Sequence, residues 1–456
     1  MSWRRRSFLG GLPALGALPA PAAAQEPRSR SLVQRLFAAF EVMDIADTHE
    51  HILAEKDRVV RKIDFFSLLG HYTIEDAASA GLPPEAAKLI EDQSAPDLDR
   101  WRALEPTWKY SRFTGYSQCL RTAIRDIYGF DEISASTIGK INDAIAARNK
   151  PGLYRYLLKD RARIRFYVQD DRAEQPTKAD REYFVTVREF EDFVIPQTPD
   201  DLRKLEKLTG VSITSLAGLK EALRKNFSQA VEAGIVGVKT LLAYRREILF
   251  REVDEQTASR DFESLARGDA KLPEGFRRRV NRPFRNLEDH MFHEVIKLAD
   301  AYRLPVQIHT GLNGPNFVVN TNPTLLTNIF FLYPKVRFDL FHIGYPYQDE
   351  MSVLAKSFAN VNIDFCWAHI ISPAVSRRAL SEFLDTVPSN KILAFGGDFF
   401  YPELSYAHAK MARKTVAQVL AAKVEDGYCK ETEALELGQR LFYDNAAALF
   451  FEKRRA

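Results

Sequence analysis

Short apolar runs of strand length recur along the chain at residues 42–49, 164–168, 190–195, 233–239, 305–309, 336–342, 361–365 and 392–395. Between them lie longer stretches whose apolar positions follow the helical period, among them 287–302 and 431–451. Strands alternating with helices predict parallel strands joined by helical crossovers. Eight such strands favour a closed (β/α)8 barrel of the TIM type over an open sheet. An open nucleotide-binding sheet would place a glycine-rich phosphate loop after its first strand. Here the first strand runs into His49-Glu50-His51 instead.

Two segments break the alternation. Residues 60–160, after the first strand, are mostly helical and carry Trp101, Trp108, Tyr110, Tyr116 and Tyr128 at irregular spacing. That is too long for a simple βα loop and predicts a helical insertion. A charged segment at 250–283, after the fourth strand, predicts a second insertion.

The first 24 residues change the picture of where the protein works. Arg4, Arg5 and Arg6 precede a short apolar stretch and a small-residue site at Ala22-Ala23-Ala24. This pattern predicts a signal peptide, 1–24, removed from a barrel domain at 25–456. Arg5-Arg6-Ser7-Phe8-Leu9 looks like a twin-arginine export signal, so a periplasmic or secreted enzyme is expected. No apolar stretch reaches the roughly 20 residues of a membrane span. The formal charge is +3, and the signal peptide holds three arginines and no acid, so the mature chain is neutral. Neutrality without a basic block argues against a nucleic-acid partner and for a small-molecule substrate; a homo-oligomer is compatible with it. Three cysteines, Cys119, Cys366 and Cys429, show no metal or redox spacing.

The candidate chemistry gathers at the C-terminal ends of the predicted strands: His49 and His51 on the first, Lys239 on the fourth, His309 on the fifth, His342 on the sixth and Asp398 on the eighth. A barrel brings those ends to one mouth. Positions two apart in a strand share a face, so His49 and His51 can both point to the axis. Imidazoles with a carboxylate suit a divalent metal, zinc foremost, with manganese or iron as alternatives. His290 and His293 are expected on a helix surface. Trp367, His369 and Glu403 are weak candidates for the mouth.

Taken in order, Asp47-Thr48-His49-Glu50-His51, Val238-Lys239-Thr240 with Tyr244-Arg245, Ile308-His309-Thr310-Gly311, Phe341-His342-Ile343-Gly344-Tyr345-Pro346, Gly397-Asp398 and Asn445-Ala446 resemble the amidohydrolase superfamily. The branch they resemble includes metal-dependent hydrolases, aminocarboxymuconate-semialdehyde decarboxylase-like proteins and uronate isomerase-like proteins. The resemblance implies that His49, His51, His309 and Asp398 surround the metal, that Asp398 is also the general base, and that His342 polarises the substrate. It leaves two roles for Lys239: a carboxylated bridge between two metal ions, or a substrate-binding group beside one. Tyr244, Arg245, Arg112 and Trp108 are expected to receive an anionic substrate. Hydrolysis of an amide, ester or lactone is the expected reaction, with uronate isomerisation or decarboxylation as the alternative.

Overall fold

The computed structural model describes residues 30–172, 180–312 and 316–452. The expected signal peptide lies outside the described residues. The strands are β1 (Ile45–Glu50), β2 (Ile164–Arg172), β3 (Phe184–Glu189), β4 (Gly237–Thr240), β5 (Val306–Ile308), β6 (Phe338–Leu340), β7 (Val361–Asp364) and β8 (Ile392–Leu393). They form one eight-stranded sheet in chain order, with each listed pairing parallel. The chain just after β8 closes the ring on β1: Thr48 N–H donates to Phe395 O at 3.2 Å and Asp398 N–H donates to His49 O at 2.9 Å. The architecture is the expected (β/α)8 barrel.

Helices cover the outside, so the strands are buried on both faces and read as nearly continuous apolar runs. The floor of the barrel is filled by Ala46, Phe166, Val168, Val187 and Leu393, closed beneath by Leu449 and Phe450 of the terminal helix Asn445–Phe451. Above this apolar plug the interior becomes polar. Gln307 Nε2 donates to Thr48 O and to Asp339 Oδ2, each at 3.0 Å. Burial pushes the Asp339 carboxyl up to about 6 and that of Asp47 up to about 7.

One predicted strand is corrected. The segment 190–195 is mostly the short helix Glu191–Val194, and β3 precedes it. Phe190, Phe193 and Val194 are buried at i, i+3 and i+4, which is helical spacing rather than the alternation of a strand.

The segment between β1 and β2 is helical, including Phe65–Leu69, Thr73–Ser79, Asp97–Ser111, Gly115–Ala123 and Ile138–Arg148. Its irregularly spaced aromatics build an interior of their own: Trp101 and Trp108 pack on each other and on Phe65 with centroids 6.2–6.3 Å apart. A buried ion pair between Arg58 and Glu403, with Tyr128 Oη donating to Glu403 Oε1 at 2.7 Å, ties this insertion to the helix Pro402–Glu425 that follows β8.

Candidate metal centre

His49 lies within β1 and His51 directly after it. Their rings meet edge to face with centroids 4.5 Å apart. The His49 side chain is 2% exposed and that of His51 29%, so His51 looks out into the mouth. Asp398 reaches the same point from beyond β8 with φ of 61°, a left-handed conformation unusual for a residue with a side chain. The two glycines before it are required by close approach. A Cβ on Gly397 would lie 1.8 Å from Glu50 Oε1, and one on Gly396 would lie 2.6 Å from Thr48 Oγ1. The backbone of this turn is gripped by buried carboxylates: Gly397 N–H donates to Asp47 Oδ1 at 3.0 Å and Phe399 N–H to Glu50 Oε2 at 2.8 Å.

The spacing of the donor atoms tests whether a metal fits. Asp398 Oδ1 is 3.4 Å from His49 Nε2 and 3.3 Å from His51 Nε2. Ligands at 2.0–2.1 Å on a tetrahedral ion are about 3.3–3.4 Å apart along an edge. Asp398 Oδ1 thus stands to each imidazole nitrogen as a co-ligand of one divalent ion would, and the donor set fits it.

Asp170 stands behind the two histidines. Its Oδ1 is 3.4 Å from His49 Nδ1 and its Oδ2 is 4.0 Å from His51 Nδ1. One carboxylate thus faces the outer nitrogens of both rings while their Nε2 atoms face Asp398. Carboxylate support of this kind fixes the tautomer and the ring angle of a metal-binding histidine. Both Asp170 oxygens, His49 Nδ1 and His309 Nε2 are buried without a hydrogen bond among the described residues. Orphaned polar atoms concentrated at one point are what a site built for an ion presents.

His309 and His342 form a directed pair. The Cys366 carbonyl can only accept, so His342 Nδ1–H donates to it at 2.9 Å. His342 Nε2 is then an acceptor and takes the Nδ1–H of His309 at 2.8 Å. His309 Nε2 is left with its lone pair. Burial lowers His342 to about 3 and, together with the neighbouring His342, holds His309 well below the usual imidazole value, so both rings are neutral. His49 is the opposite case. Burial and the Lys239 ammonium oppose its protonation, but Asp170 and Asp398 outweigh them and lift it to about 9. Lys239 Nζ lies 3.4 Å from His49 Nε2 and 3.6 Å from the centroid of the Phe341 ring. The carboxylates draw positive charge to this point, whether proton, ammonium or metal. Two groups of potential ligands have atoms within 4.8 Å of one another: first His49, His51 and Asp170, and second His342, Cys366 and Asp398.

An aromatic wall covers one side of the mouth. His71 stacks between Tyr72 and Phe400 at 3.9 and 4.1 Å. Tyr72 stacks on Tyr116 at 5.1 Å, and Tyr116 on Trp367 at 6.0 Å. The Trp367 ring meets His342 edge-on at 5.1 Å. Burial, and then the charge of Asp398, push the Tyr72 and Tyr244 hydroxyls well above their usual value. On the other side, the Tyr244 ring packs 4.4 Å from His309 and Arg245 lines the adjoining cleft.

The structure thus brings together His49, His51, Lys239, His309, His342 and Asp398, with Tyr244 and Arg245 at the rim. It does not bring Trp108 or Arg112 there. Trp108 is 4% exposed inside the helical insertion, where its ring is taken up by Phe65 and Trp101. Arg112 ends the helix Asp97–Ser111 and lies in solvent over the Phe113 ring at 4.9 Å. His290 and His293 are not surface residues: both are buried, bonded to Val253 O and to the Tyr333 hydroxyl at 2.9 and 2.8 Å. His369 is buried behind the wall on Ala394 O. Sequence reasoning missed Asp170, His71 and Tyr72. Asp170 carried a signal: Phe166 and Val168 face the barrel interior, and the next residue of that face is Asp170. For His71 and Tyr72, inside an irregular helical stretch, no pattern pointed to the mouth.

Comparison with known proteins agrees with the barrel fold. Uronate isomerase of Brucella canis is 23% identical over 473 residues, covering 92% of this chain and 96% of that protein. Protein fluG of Emericella nidulans is 27% identical over 271 residues; the match takes in 56% of this chain but only 29% of that longer protein. Among solved structures, uronate isomerase of Thermotoga maritima superposes with a TM-score of 0.76 at 19% identity, over 92% of this chain and 97% of that one. Glucuronate isomerase of Caulobacter crescentus gives 0.75 at 19% identity, over 95% and 96%. A family model described as Amidohydrolase matches residues 220–451, the half of the chain that carries Lys239, His309, His342 and Asp398, and the chain belongs to that family.

Proposed function

We propose that the protein is a metal-dependent aldose–ketose isomerase acting on a uronate-like sugar acid. The observation that carries this reading is the end-to-end likeness to uronate isomerases, 92% of this chain against 96% of theirs. It replaces hydrolysis as the leading reading. His49, His51 and Asp398 would hold the metal, with Asp170 behind the histidines; zinc is the ion proposed. When bound, the metal supplies Lewis acidity at the substrate carbonyl.

The chain's own groups account for the rest. Isomerisation moves one proton from C2 to C1 and one from O2 to O1, with no water consumed and no redox partner. Asp398 takes the carbon-bound proton at its carboxylate and returns it to the neighbouring carbon. The Tyr72 and Tyr244 hydroxyls, kept neutral by burial and by Asp398, donate to the sugar oxygens. His342, neutral and fixed by Cys366 O, orients His309. The wall of His71, Tyr72, Tyr116 and Trp367 excludes water and offers flat faces to a sugar ring.

A second reading, hydrolysis, is favoured by the second ligand group around His342 and by buried Lys239, which would bridge two ions if carboxylated. Incubation of metal-loaded protein with D-galacturonate and D-glucuronate in ²H₂O tests the choice. Ketose formation with deuterium entering at carbon supports isomerisation. Inertness toward both acids, with solvent ¹⁸O entering the products of lactones or N-acyl amino acids, would replace it by hydrolysis. Export by the twin-arginine route belongs to the same proposal and is tested by locating the mature protein in periplasmic extracts.

A further inference from the structure

Beside the metal centre lies a cleft of about 610 Å³ whose lining includes Arg172, Arg245, Arg278, Arg279 and Arg282 against a single carboxylate, Glu191. Tyr244 belongs to this lining and its ring also packs on His309, so the cleft adjoins the metal centre across that ring. Its volume is that of a site for a ligand of drug size and exceeds the needs of one small acid held at a metal.

The charges of the lining are not equivalent. Arg172 is held by Glu189, Nε to Oε2 at 2.8 Å. Arg282 is held by Glu288 through three hydrogen bonds of 2.6–3.2 Å. Glu288 is fully buried and also accepts from Arg246 at 2.9 Å, so Arg282 is fixed to the barrel rather than loose on its loop. The one carboxylate, Glu191, is occupied by Thr240 Oγ1 and the Leu241 N–H. Arg279 is engaged as well, which leaves Arg245 and Arg278. The Arg245 guanidinium makes no hydrogen bond or close ion pair among the described residues, although its charge acts on the Glu191 carboxyl, and the Arg278 side chain uses only Nε, on Pro273 O at 2.8 Å. They come from two separate segments, the turn after β4 and the second insertion. Terminal guanidinium nitrogens left open in a concave wall are suited to bidentate capture of an oxyanion.

We propose that this cleft is a subsite for a second oxyanion of the substrate, a carboxylate or phosphate carried beyond the unit that reacts at the metal. The preferred substrate is then an extended, doubly acidic carbohydrate rather than a free monosaccharide acid. This rests on the uronate reading of the metal centre. It adds that the second insertion selects substrate length and charge, with Arg278 as a specificity-determining residue and Glu288 as the residue that positions the cleft's inner wall.

Calorimetric titration of the metal-loaded protein with two pairs of probes tests this. D-galacturonate against digalacturonate asks for a second carboxylate; D-gluconate against 6-phosphogluconate asks for a phosphate. The doubly charged member of at least one pair should bind about 10- to 100-fold tighter, the factor of one charge-assisted hydrogen-bonded pair. The pair that shows the preference identifies the anion. Arg278→Met, at an exposed position whose loss does not threaten folding, should reduce that preference about tenfold. Equal affinity within both pairs, or a preference that Arg278→Met leaves intact, overturns the proposal. Turnover is read separately. A charge preference without isomerisation of any probe keeps the subsite and removes the isomerase reading. Isomerisation of galacturonate without a charge preference does the reverse.

Discussion

Replacing Asp170 by Asn probes the carboxylate that stands behind both histidines. The substitution keeps the volume but removes the charge, and only one of its two terminal atoms can still accept. In the wild type, Oδ1 faces His49 Nδ1 at 3.4 Å and Oδ2 faces His51 Nδ1 at 4.0 Å. An amide cannot serve both ring N–H groups: if its oxygen meets one, its NH₂ is turned to the other, donor against donor. Loss of one such outer carboxylate typically costs 10- to 100-fold in metal affinity, about 1.4–2.7 kcal/mol. Asp170→Asn should therefore bind zinc in that range more weakly, measured by competition with a chelating dye on metal-free protein, while His49→Ala should lose the metal. Circular dichroism of the metal-free forms should be unchanged. Wild-type affinity in Asp170→Asn would refute the reasoning. Loss as complete as in His49→Ala would make Asp170 a direct ligand instead of an orienting one.

Gly397→Ala should destabilise the protein by about 1–3 kcal/mol, the cost of overpacking, because its Cβ meets Glu50 Oε1, a buried atom with nowhere to move. Urea unfolding reads the loss, and metal content should fall with it as Asp398 is displaced. Burial, then Asp170 and Glu191, raise the Glu189 carboxyl to about 8. A carboxyl raised in the folded state binds its proton more tightly there than when unfolded. Its contribution is therefore full below the unfolded value near 4.5 and is lost as pH rises through 8. Thermal melts from pH 5 to 9 should show the wild type losing stability with rising pH relative to Glu189→Gln; parallel curves would exclude Glu189 as the cause. Trp108→Ala should cost about 3–5 kcal/mol of stability as a buried aromatic truncation, yet leave metal affinity unchanged. A selective loss of metal or substrate binding at full stability would return Trp108 to the site.

The sequence by itself determined the barrel and the candidate ligands that close its strands. Both depend on local patterns: short apolar runs of strand length, and polar residues where those runs end. His49, His51, Lys239, His309, His342 and Asp398 were legible because each terminates such a run, and strand ends converge in a closed barrel whatever lies between them. The segment 190–195 was misread because six residues with four apolar positions are too few to separate the strand period from the helical one. Asp170 went unseen because its strand continues four residues beyond its last apolar position, Val168. Only the tertiary structure decided what surrounds the ligands. His71 and Tyr72 sit in a helical insertion whose path is set by long-range contacts, such as the pair of Arg58 with Glu403 some 345 residues away. Trp108 and Arg112 have the same composition as a binding site and are spent on the insertion's core and on solvent. Which nitrogen of each histidine faces the metal, and which arginines of the cleft are left open, follow from partners brought in by separate strands and loops, and no spacing along the chain encodes them.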